Sequence, residues 1–196
     1  VNCMVEVCSG LTLARFYDAI GKESLFFPPH PGDENAMIGG LVATCAGGSR
    51  AVKYGTIRHF VRGIEVVLSD GTVTRFGGKV MKDSSGYSLL HLMIGSEGTL
   101  GLITKVTMSV MPPRPEIWSL VVPFSDPRRA MECVNAVCVA GVVPLALEFI
   151  EDEAIAASED LLGKKWPSRG ADYYLLFIVE GEPGKPVESS AEDVAD

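Results

Sequence analysis

Glycine is concentrated in one region of this chain, and that concentration limits how the chain can fold more than any other feature. The 196 residues include 21 glycines, many of them between Gly32 and Gly101. Three clusters lie there: Gly39-Gly40, Gly47-Gly48 and Gly95–Gly101. Because glycine has no Cβ, such clusters let backbone N–H groups approach an anionic or planar ligand. Glycine pairs also form ordinary tight turns, so both interpretations stay open at this point.

The composition and charge exclude several classes of protein. Apolar residues make up 47% and charged residues 21%, which indicates a packed core rather than a disordered or fibrous chain. The formal net charge is −8 and no basic stripe is present, so neither nucleic acid nor an anionic membrane surface is an expected partner. The longest apolar stretch, 134–150, contains Asn, Gly, Pro and Glu, and no transmembrane segment is predicted.

The chain ends and the cysteines bear on compartment and completeness. The first ten residues lack the basic start of a secretory signal. The five cysteines form no C-x-x-C motif, so a reduced, cytoplasmic chain is expected. The sequence starts without Met inside a strand pattern and ends in a polar stretch, 182–196, which predicts a fragment of a longer protein.

Hydrophobic periodicity and turn residues predict the elements of the first 111 residues. An Asp-Gly pair between two β-rich runs is the clearest of these signals, because it favours a hairpin turn. The predicted elements are an edge strand over 1–7, a helix between Thr12 and Gly21, a short helix between the two diglycines, a hairpin joining 63–68 to 72–76, a helix over 87–93 and a strand over 102–110.

The segment Pro112–Pro115 is the predicted boundary between a domain over 1–111 and a second one over 116–196. A β-α-β-α-β run follows it, which is typical of an α+β domain. Its predicted elements are strands over 118–122, 145–150 and 173–179, a helix capped by Ser125, and a helix over 152–162 closed by Gly163. The first helix is predicted to bury one apolar stripe, formed by Ala130, Met131, Val134, Val137 and Cys138. Glu148 is the candidate buried carboxylate.

The sequence shows none of the common catalytic or metal-binding motifs. There is no P-loop, and no G-x-G-x-x-G follows a strand. His30, His59 and His91 lie at no ligand spacing, so no metal site is predicted. Lys82-Asp83 is interpreted as a structural cap rather than an active ion pair. The sequence assigns no catalytic residue.

Five segments resemble, in order and spacing, the second half of the FAD-binding domain of the glycolate oxidase GlcD and D-lactate dehydrogenase family. These are FAD-linked oxidases of the vanillyl-alcohol-oxidase (PCMH) type. The segments are LFFPPHPG at 25–32, IGGLVATCAGG at 38–48, KYGT at 53–56, KDSSGY at 82–87 and IGSEGTLGLIT at 94–104. The resemblance covers residues 1–111, and ALEFI at 146–150 with YLLFIVE at 174–180 is similar to the start of the family's substrate (cap) domain.

The resemblance implies a fold, a cofactor and a reaction. The fold is an α+β, PCMH-type FAD-binding subdomain followed by part of an α+β cap domain, with FAD bound non-covalently. The reaction is oxidation of a small 2-hydroxy acid such as glycolate or D-lactate, by hydride transfer to flavin N5, with an iron–sulfur subunit accepting the electrons. Two alternatives stay open: a flavin-binding or assembly module without turnover, completed by another chain, and a structural remnant that binds nothing.

The same resemblance implies the cofactor-binding positions, and the protein's role there is to position the flavin and supply hydrogen bonds. Facing the pyrophosphate and flavin are Pro31, Gly32, Ile38, Gly39 and Gly40. Beside the isoalloxazine and ribityl region are Thr44, Cys45, Ala46, Gly47 and Gly48, with Tyr54 and Gly55 closing that wall. On the adenosine side are Glu97, Gly98 and Ile103.

Two residues depart from the family pattern, and several family features would lie outside this chain. Cys45 stands where family members commonly have Asn, and a thiol cannot replace the two-way hydrogen bonding of an amide. His30 also departs from the pattern. The family's Pro-Gly-Gly-Gly-Thr loop would precede Val1. Its metal-binding histidines and its substrate-binding arginine and lysine would follow Asp196.

Overall fold

The chain folds into two compact units, Val1–Pro113 and Arg114–Asp196. The structure is a computed structural model, and it describes residues 3–112, 116–181, 187, 191–192 and 194. Both units combine helices with antiparallel sheet, which confirms the predicted α+β class. Within these described ranges, no helix is long and apolar enough to cross a membrane.

The first unit is built on a four-stranded antiparallel sheet with strand order β1-β4-β2-β3. β1 lies at its edge, as the sequence predicts. The elements of this unit, in chain order, are β1 (Met4–Cys8), α1 (Leu13–Lys22), α2 (Ile38–Ala43), α3 (Ala51–Tyr54), a 3-10 turn (Ile57–His59), β2 (Val61–Val67), β3 (Val73–Gly77), α4 (Leu89–Met93) and β4 (Leu102–Ser109).

The β2–β3 hairpin forms where the Asp-Gly pair predicts it. Gly71 has φ +84°, a conformation that glycine adopts without a Cβ penalty. The Asp70 carboxylate accepts the Thr72 N–H at 2.8 Å, and the Leu68 N–H donates to Thr72 O at 2.9 Å. The turn is therefore specified locally, which explains why the sequence alone predicts it.

The end of α1 differs from the sequence prediction. Gly21 does not end the helix, which continues through Lys22. Instead Ser24 takes the left-handed conformation at φ +54°. The Leu25 N–H donates to Ile20 O and the Ser24 N–H donates to Gly21 O, both at 3.0 Å. These two bonds form a Schellman motif with serine in the position that glycine usually holds.

α2 is short but firmly anchored, although it contains the first glycine pair. Ile38 and Val42 are fully buried in the core of the first unit. Phe27 packs edge-on against Phe16 and Phe60, with ring centroids 5.2 and 5.6 Å away, and completes this core. Tertiary packing therefore holds a helix that propensity alone would not form.

α4 is shorter than predicted because its N-terminus lies two residues further on. Ser88 caps it, with its hydroxyl accepting the His91 N–H at 3.4 Å, and Tyr87 lies outside, 96% exposed. Asp83 accepts the Ser85 N–H at 3.0 Å, so it caps a turn as interpreted from the sequence.

The second unit contains a three-stranded antiparallel sheet in the order β5-β7-β6. Its elements, in chain order, are β5 (Ile117–Phe124), α5 (Pro127–Val139), β6 (Ala146–Glu151), α6 (Asp152–Leu162) and β7 (Tyr173–Glu180). α6 has the predicted bounds, and Gly163 closes it in the left-handed conformation at φ +62°. β7 is central, and Leu175 and Phe177 on it are fully buried.

Three expectations for the second unit are wrong. The N-cap of α5 is Asp126, not Ser125: its carboxylate accepts the Arg128 N–H at 2.9 Å, and Pro127 opens the first turn. Met131 and Cys138 are exposed, because they lie one residue, about 100°, past the buried Ala130 and Val137. Glu148 is exposed on edge strand β6, where water reaches it.

A carboxylate network crosses the sheet of the first unit. Glu65 on β2 accepts from Arg75 on β3 at 2.8 Å, from Lys105 on β4 at 3.3 Å and from the Thr104 hydroxyl at 3.0 Å. Hydrogen bonds from Arg75, then Lys105, then Thr104 lower the pKa of Glu65 to about 2, from an ordinary 4.5. The network therefore stabilises the fold only while this carboxyl is ionised.

A pH prediction follows from this network. Because the folded pKa of Glu65 lies below its unfolded value, its stabilising effect is complete above pH 4.5 and is lost as the pH falls towards 2. Glu65→Gln should therefore unfold at lower urea than the parent at pH 7, and the difference should shrink from pH 4.5 towards pH 2. Urea unfolding across that range measures it. A difference that stays constant with pH would contradict the assignment.

Candidate functional site

The end of α2 meets the loop that precedes β4, and this contact joins two of the five sequence motifs. The Gly95 N–H donates to Val42 O at 3.1 Å, and the Glu97 N–H donates to Ala43 O at 2.9 Å. The last carbonyls of a helix have no partner within the helix. Here the 94–104 motif satisfies two of them, so it is held against the 38–48 motif.

The turn after α2 brings in a third motif. Cys45 is left-handed at φ +52°. The Ala46 N–H donates to Leu41 O at 2.9 Å and the Cys45 N–H donates to Val42 O at 3.1 Å, which is a second Schellman motif. The Ile57 N–H then donates to Ala46 O at 3.0 Å. This bond ties the segment after the KYGT motif to the same turn.

Arg58 holds this junction together, and the sequence analysis missed it. Its guanidinium donates to His91 O and to Ile94 O, both at 2.7 Å, and so links the 3-10 turn to the end of α4. The available signal was a cation two residues after the KYGT motif. Carbonyl partners at such a sequence separation cannot be predicted from one sequence.

Cys45 lies within this junction and has an altered acidity. Its Sγ is 3.4 Å from Thr56 Oγ1. Burial raises the pKa of the Cys45 thiol, but hydrogen bonding by Thr56 and Arg58 and the charge of Arg58 outweigh burial, and the net pKa is lowered. A larger fraction of this thiol is therefore ionised at a given pH than in an ordinary cysteine.

Some of the predicted glycines are required by packing. A Cβ on Gly39 would lie 2.6 Å from the Ser9 Cβ, a Cβ on Gly48 would overlap His30 O, and a Cβ on Gly55 would overlap the His59 ring. Gly55 also has φ +75°. These three positions need glycine to let chain segments approach one another, whether or not a ligand binds.

Other predicted glycines present bare backbone. A Cβ on Gly32, Gly40 or Gly98 would meet no described atom of another part of the chain within 4 Å. One on Gly47 would be in ordinary contact, 3.6 Å from the Thr56 Cγ2. Gly98 has φ +78°, so its conformation already favours glycine. Gly32, Gly40 and Gly47 are thus the positions among these where packing and φ leave the absence of a side chain unexplained.

The remaining predicted positions differ in how they face their surroundings. Ile38 and Pro31 are buried, and the N–H groups of Ile38 and Gly39 already donate to Leu11 O and Ser9 O, at 2.9 and 2.8 Å. Thr44 is exposed, and its hydroxyl donates to Gly40 O at 3.0 Å. Tyr54 is half-buried, with its ring centroid 6.4 Å from those of Phe26 and Phe60.

The adenosine-side positions lie at the start of β4. Glu97 is exposed, with φ +52°. Ile103 is half-buried and pairs with Val66 of β2. The ladder between β1 and β4 ends at Cys8 opposite Lys105, so Ile103 lies where β4 extends beyond β1.

Four cavities among the described residues have volumes between about 290 and 480 Å³, and none of these four is lined by a predicted flavin-site residue. Gly40, Thr44, Gly48 and Glu97 are exposed, so the predicted site includes open surface of the first unit. It is formed by the end of α2, the turn after it and the 94–98 loop, which we call the α2 surface.

Two family models match the chain. A family model described as an FAD binding domain matches residues 2–77, and one described as the C-terminal domain of FAD linked oxidases matches residues 115–196. The chain belongs to the FAD-linked oxidases. FAD is the cofactor of this family, and the second match begins beside the boundary between the two structural units.

Relatives of this FAD-linked oxidase chain are longer. A D-lactate dehydrogenase of Archaeoglobus fulgidus is 47% identical over 90% of this chain and 40% of its own length. A D-lactate dehydrogenase of Anaerostipes hadrus is 40% identical over 100% and 42%. The glycolate oxidase subunit GlcD of Bacillus subtilis is 32% identical over 98% and 41%. The chain thus spans about two fifths of these relatives.

A solved structure shows the same fold. An alkyldihydroxyacetonephosphate synthase matches 100% of this chain and 38% of its own, with a TM-score of 0.78 and 20% identity. At that identity the match concerns the fold alone. It agrees with the PCMH-type, α+β architecture predicted from the sequence.

Cys45→Asn is predicted to stabilise the FAD-linked oxidase chain. Among non-glycine residues Asn tolerates the left-handed conformation well, so we expect the free energy of unfolding to rise by up to about 1 kcal/mol. In the complete protein, the added amide should also raise FAD affinity by up to about tenfold. Urea unfolding and FAD titration of the apoprotein measure the two effects.

Ser24→Asn is a matched control for this change, because Ser24 is also left-handed, at φ +54°, but lies at the end of α1. It should stabilise the fold without changing FAD affinity. Equal or weaker FAD binding by Cys45→Asn would place Cys45 away from the polar edge of the flavin.

Proposed function

We propose that this chain supplies one wall of the FAD site in an oxidoreductase that oxidises a small 2-hydroxy acid. The observation that carries the proposal is the α2 surface, where bare backbone at Gly40 and Gly47 lies beside two joined family motifs. The relatives named D-lactate dehydrogenase and glycolate oxidase subunit GlcD support the substrate class.

The residues present fit a flavin on this surface. A Cβ on Gly40 would stand in open space, and one on Gly47 would meet Thr56 and Ala51 only at ordinary contact distances, which suits contact with a planar or anionic group. Thr44 and Gly48 are exposed around them. Gly39, Gly48 and Gly55 contribute indirectly, because they let the chain segments that form the wall pack closely. When bound, FAD supplies two-electron oxidation chemistry.

Ile103 and Gly98 would hold the adenosine end. β1 ends at Cys8, and the Ser9 N–H still donates to Thr104 O at 2.9 Å. Ile103 lies one residue beyond this bond, where the strand edge would offer backbone groups to a ligand. Gly32, exposed with no described neighbour at its Cβ position, would face the pyrophosphate with Pro31 behind it. Cys45 would lie beside the flavin with a thiol in place of an amide.

The acceptor and compartment complete the proposal. An iron–sulfur protein receiving the electrons is consistent with a relative named as a subunit of glycolate oxidase. A cytoplasmic location is consistent with cysteines that are all free: Cys3, Cys8, Cys45, Cys133 and Cys138.

The test uses the complete protein that contains this chain. It should purify yellow, and anaerobic addition of D-lactate or glycolate should bleach the flavin absorbance. L-lactate and acetate serve as controls for the hydroxyl and its configuration. Retained flavin that no 2-hydroxy acid reduces would overturn the substrate class, and colourless protein after incubation with FAD would overturn the cofactor site.

A second candidate function is a flavin-binding or assembly module without turnover of its own. The observation that favours it is that the α2 surface is open, and none of the four described cavities is lined by its residues. Yellow protein that stays inert with every 2-hydroxy acid, and gains activity when a second chain is added, would select this function.

The openness of the α2 surface leads to a further prediction. The 196-residue chain alone should bind FAD weakly, because one wall cannot bury most of a ligand's surface. Equilibrium dialysis against FAD measures the affinity, with riboflavin as the control for contacts made by the pyrophosphate and adenosine. Sub-micromolar binding by the isolated chain would show that this wall suffices.

A further inference from the structure

A cavity of the first unit is lined in part by α4 and by none of the residues of the α2 surface. It has a volume of about 480 Å³ and is bounded by the start of β2, the end of β3, residues 80–88 and α4. We call it the β3–α4 cavity. It includes part of the KDSSGY motif at 82–87, which the proposed FAD site does not use.

The lining of this cavity is mainly cationic, although the chain as a whole has a net charge of −8. Its charged side chains are Arg62, Arg75 and Lys82 against the single carboxylate of Asp83. Arg75 is already paired with Glu65 at 2.8 Å. Arg62 and Lys82 form no ion pair with any residue in the described ranges.

Arg62 is the decisive residue, because its charge is partly buried and unsatisfied. Its Nε is shielded from water and has no hydrogen-bond partner in the described part of the chain. An arginine stays protonated at any physiological pH. A shielded N–H donor without a partner is costly, and proteins normally pair such groups. A carboxylate or phosphate group matches its planar array of N–H donors.

The backbone beneath Arg62 is fixed by glycines. The Gly78 N–H donates to Arg62 O at 2.8 Å. A Cβ on Gly77 would overlap Arg62 O, and one on Gly63 would lie 2.8 Å from the Gly78 N. These glycines let the ends of β2 and β3 close on one another, so the guanidinium is presented from a rigid support, as a binding residue should be.

We propose that the β3–α4 cavity binds a small anion through a carboxylate or phosphate group, paired with Arg62 and supported by Lys82. The Ser85 and Ser88 hydroxyls at the wall offer further donors, and the apolar side chains of Val80, Met81 and Tyr87 would accompany the body of an organic anion. The site is separate from the FAD site and does not depend on it.

The test uses the 196-residue chain without flavin. Inorganic phosphate and acetate are titrated separately against it by calorimetry, and thermal unfolding is followed at constant ionic strength maintained with chloride. At least one of the two anions should bind and raise the Tm. Phosphate binding without acetate binding identifies a phosphate group as the ligand, and the reverse identifies a carboxylate.

Substitutions localise the binding. Arg62→Met should weaken anion affinity by about tenfold or more, the loss expected for a charge-assisted pair. Lys82→Met, at an exposed position, should weaken it by a smaller factor without affecting the fold. Lys22→Met, which removes an exposed lysine at the end of α1, should leave affinity unchanged.

Two results would overturn the proposal. One is a Tm that phosphate and acetate raise no more than chloride does. The other is anion affinity that Lys82→Met and Arg62→Met both leave at the parent value. If Arg62→Met does not fold, unchanged affinity in Lys82→Met together with Lys82→Glu has the same meaning, because a carboxylate there must repel the anion.

Discussion

Gly48→Ala is expected to destabilise the first unit by about 3 kcal/mol or more. The added Cβ would overlap His30 O and lie 2.9 Å from the Pro31 N. Both are backbone atoms, so no side-chain rotation relieves the overlap. The turn after α2 and the 25–32 segment would have to separate, and the chain should unfold at markedly lower urea.

Gly40→Ala is the matched control for this loss. Gly40 lies within α2, and an alanine Cβ there would meet no described neighbour within 4 Å. Alanine favours a helix interior over glycine, so the free energy of unfolding should rise by about 0.5–1 kcal/mol. Equal stability of the two variants in urea would show that the segments around Gly48 are not packed as described.

Gly47→Val in the complete protein is expected to lower FAD affinity by roughly 100-fold while leaving the fold intact. The space beyond Gly47 contains only the Thr56 methyl and Ala51 Cβ at ordinary contact distances, so the branched side chain would occupy the position proposed for the flavin. Flavin content after purification and FAD titration of the apoprotein measure the effect. Circular dichroism monitors the fold.

Gly40→Val tests the same wall from the neighbouring position, and Gly21→Val places the same side chain at the end of α1, where the Cβ also has no described neighbour within 4 Å. The former should release flavin and the latter should not. Gly98 is unsuitable for this comparison, because a valine at φ +78° would strain the backbone with or without a ligand. Flavin retained at parental stoichiometry in Gly47→Val would mean that this glycine serves the turn alone.

Elements specified by local chemistry were predictable from the sequence. The β2–β3 hairpin depends on Asp70-Gly71, and α6 depends on a periodic apolar pattern closed by Gly163, so neither needs information from distant residues. The ends of α1 and α2 were not predictable in the same way. Each uses a left-handed residue that rarely adopts this conformation, Ser24 and Cys45, and tertiary contacts hold them there.

Burial in the second sheet shows the same limit. Glu148 interrupts an apolar strand pattern and Glu180 ends one. Glu148 is exposed, whereas Glu180 is buried. Glu148 lies on edge strand β6 and Glu180 on central strand β7, but Ala146 on β6 is fully buried, so exposure also differs along one strand. Strand order depends on long-range pairing, which one sequence does not reveal.

The motifs of the candidate site were predictable from the sequence, but the separate roles of their glycines were not. Motif spacing indicated all the glycines at once. Only the structure separates Gly39, Gly48 and Gly55, where a Cβ would collide with another chain segment, from Gly40 and Gly47, where it would not. The role of Arg58 depends on carbonyls of His91 and Ile94 that lie more than thirty residues away in sequence.

The hydrogen bonds of Arg58 to α4 have a thermodynamic consequence for the α2 surface and the β3–α4 cavity. The Arg58 guanidinium donates to the carbonyl of His91, and His91 lines the β3–α4 cavity. Arg58 also lies in the junction that contains Cys45. If an anion bound in the β3–α4 cavity moves α4, the bond from Arg58 to His91 would pass the change to the proposed flavin surface. Linkage requires reciprocity: whatever factor an anion applies to flavin affinity, flavin must apply to anion affinity. Anion content during purification would then bias how much cofactor the protein retains.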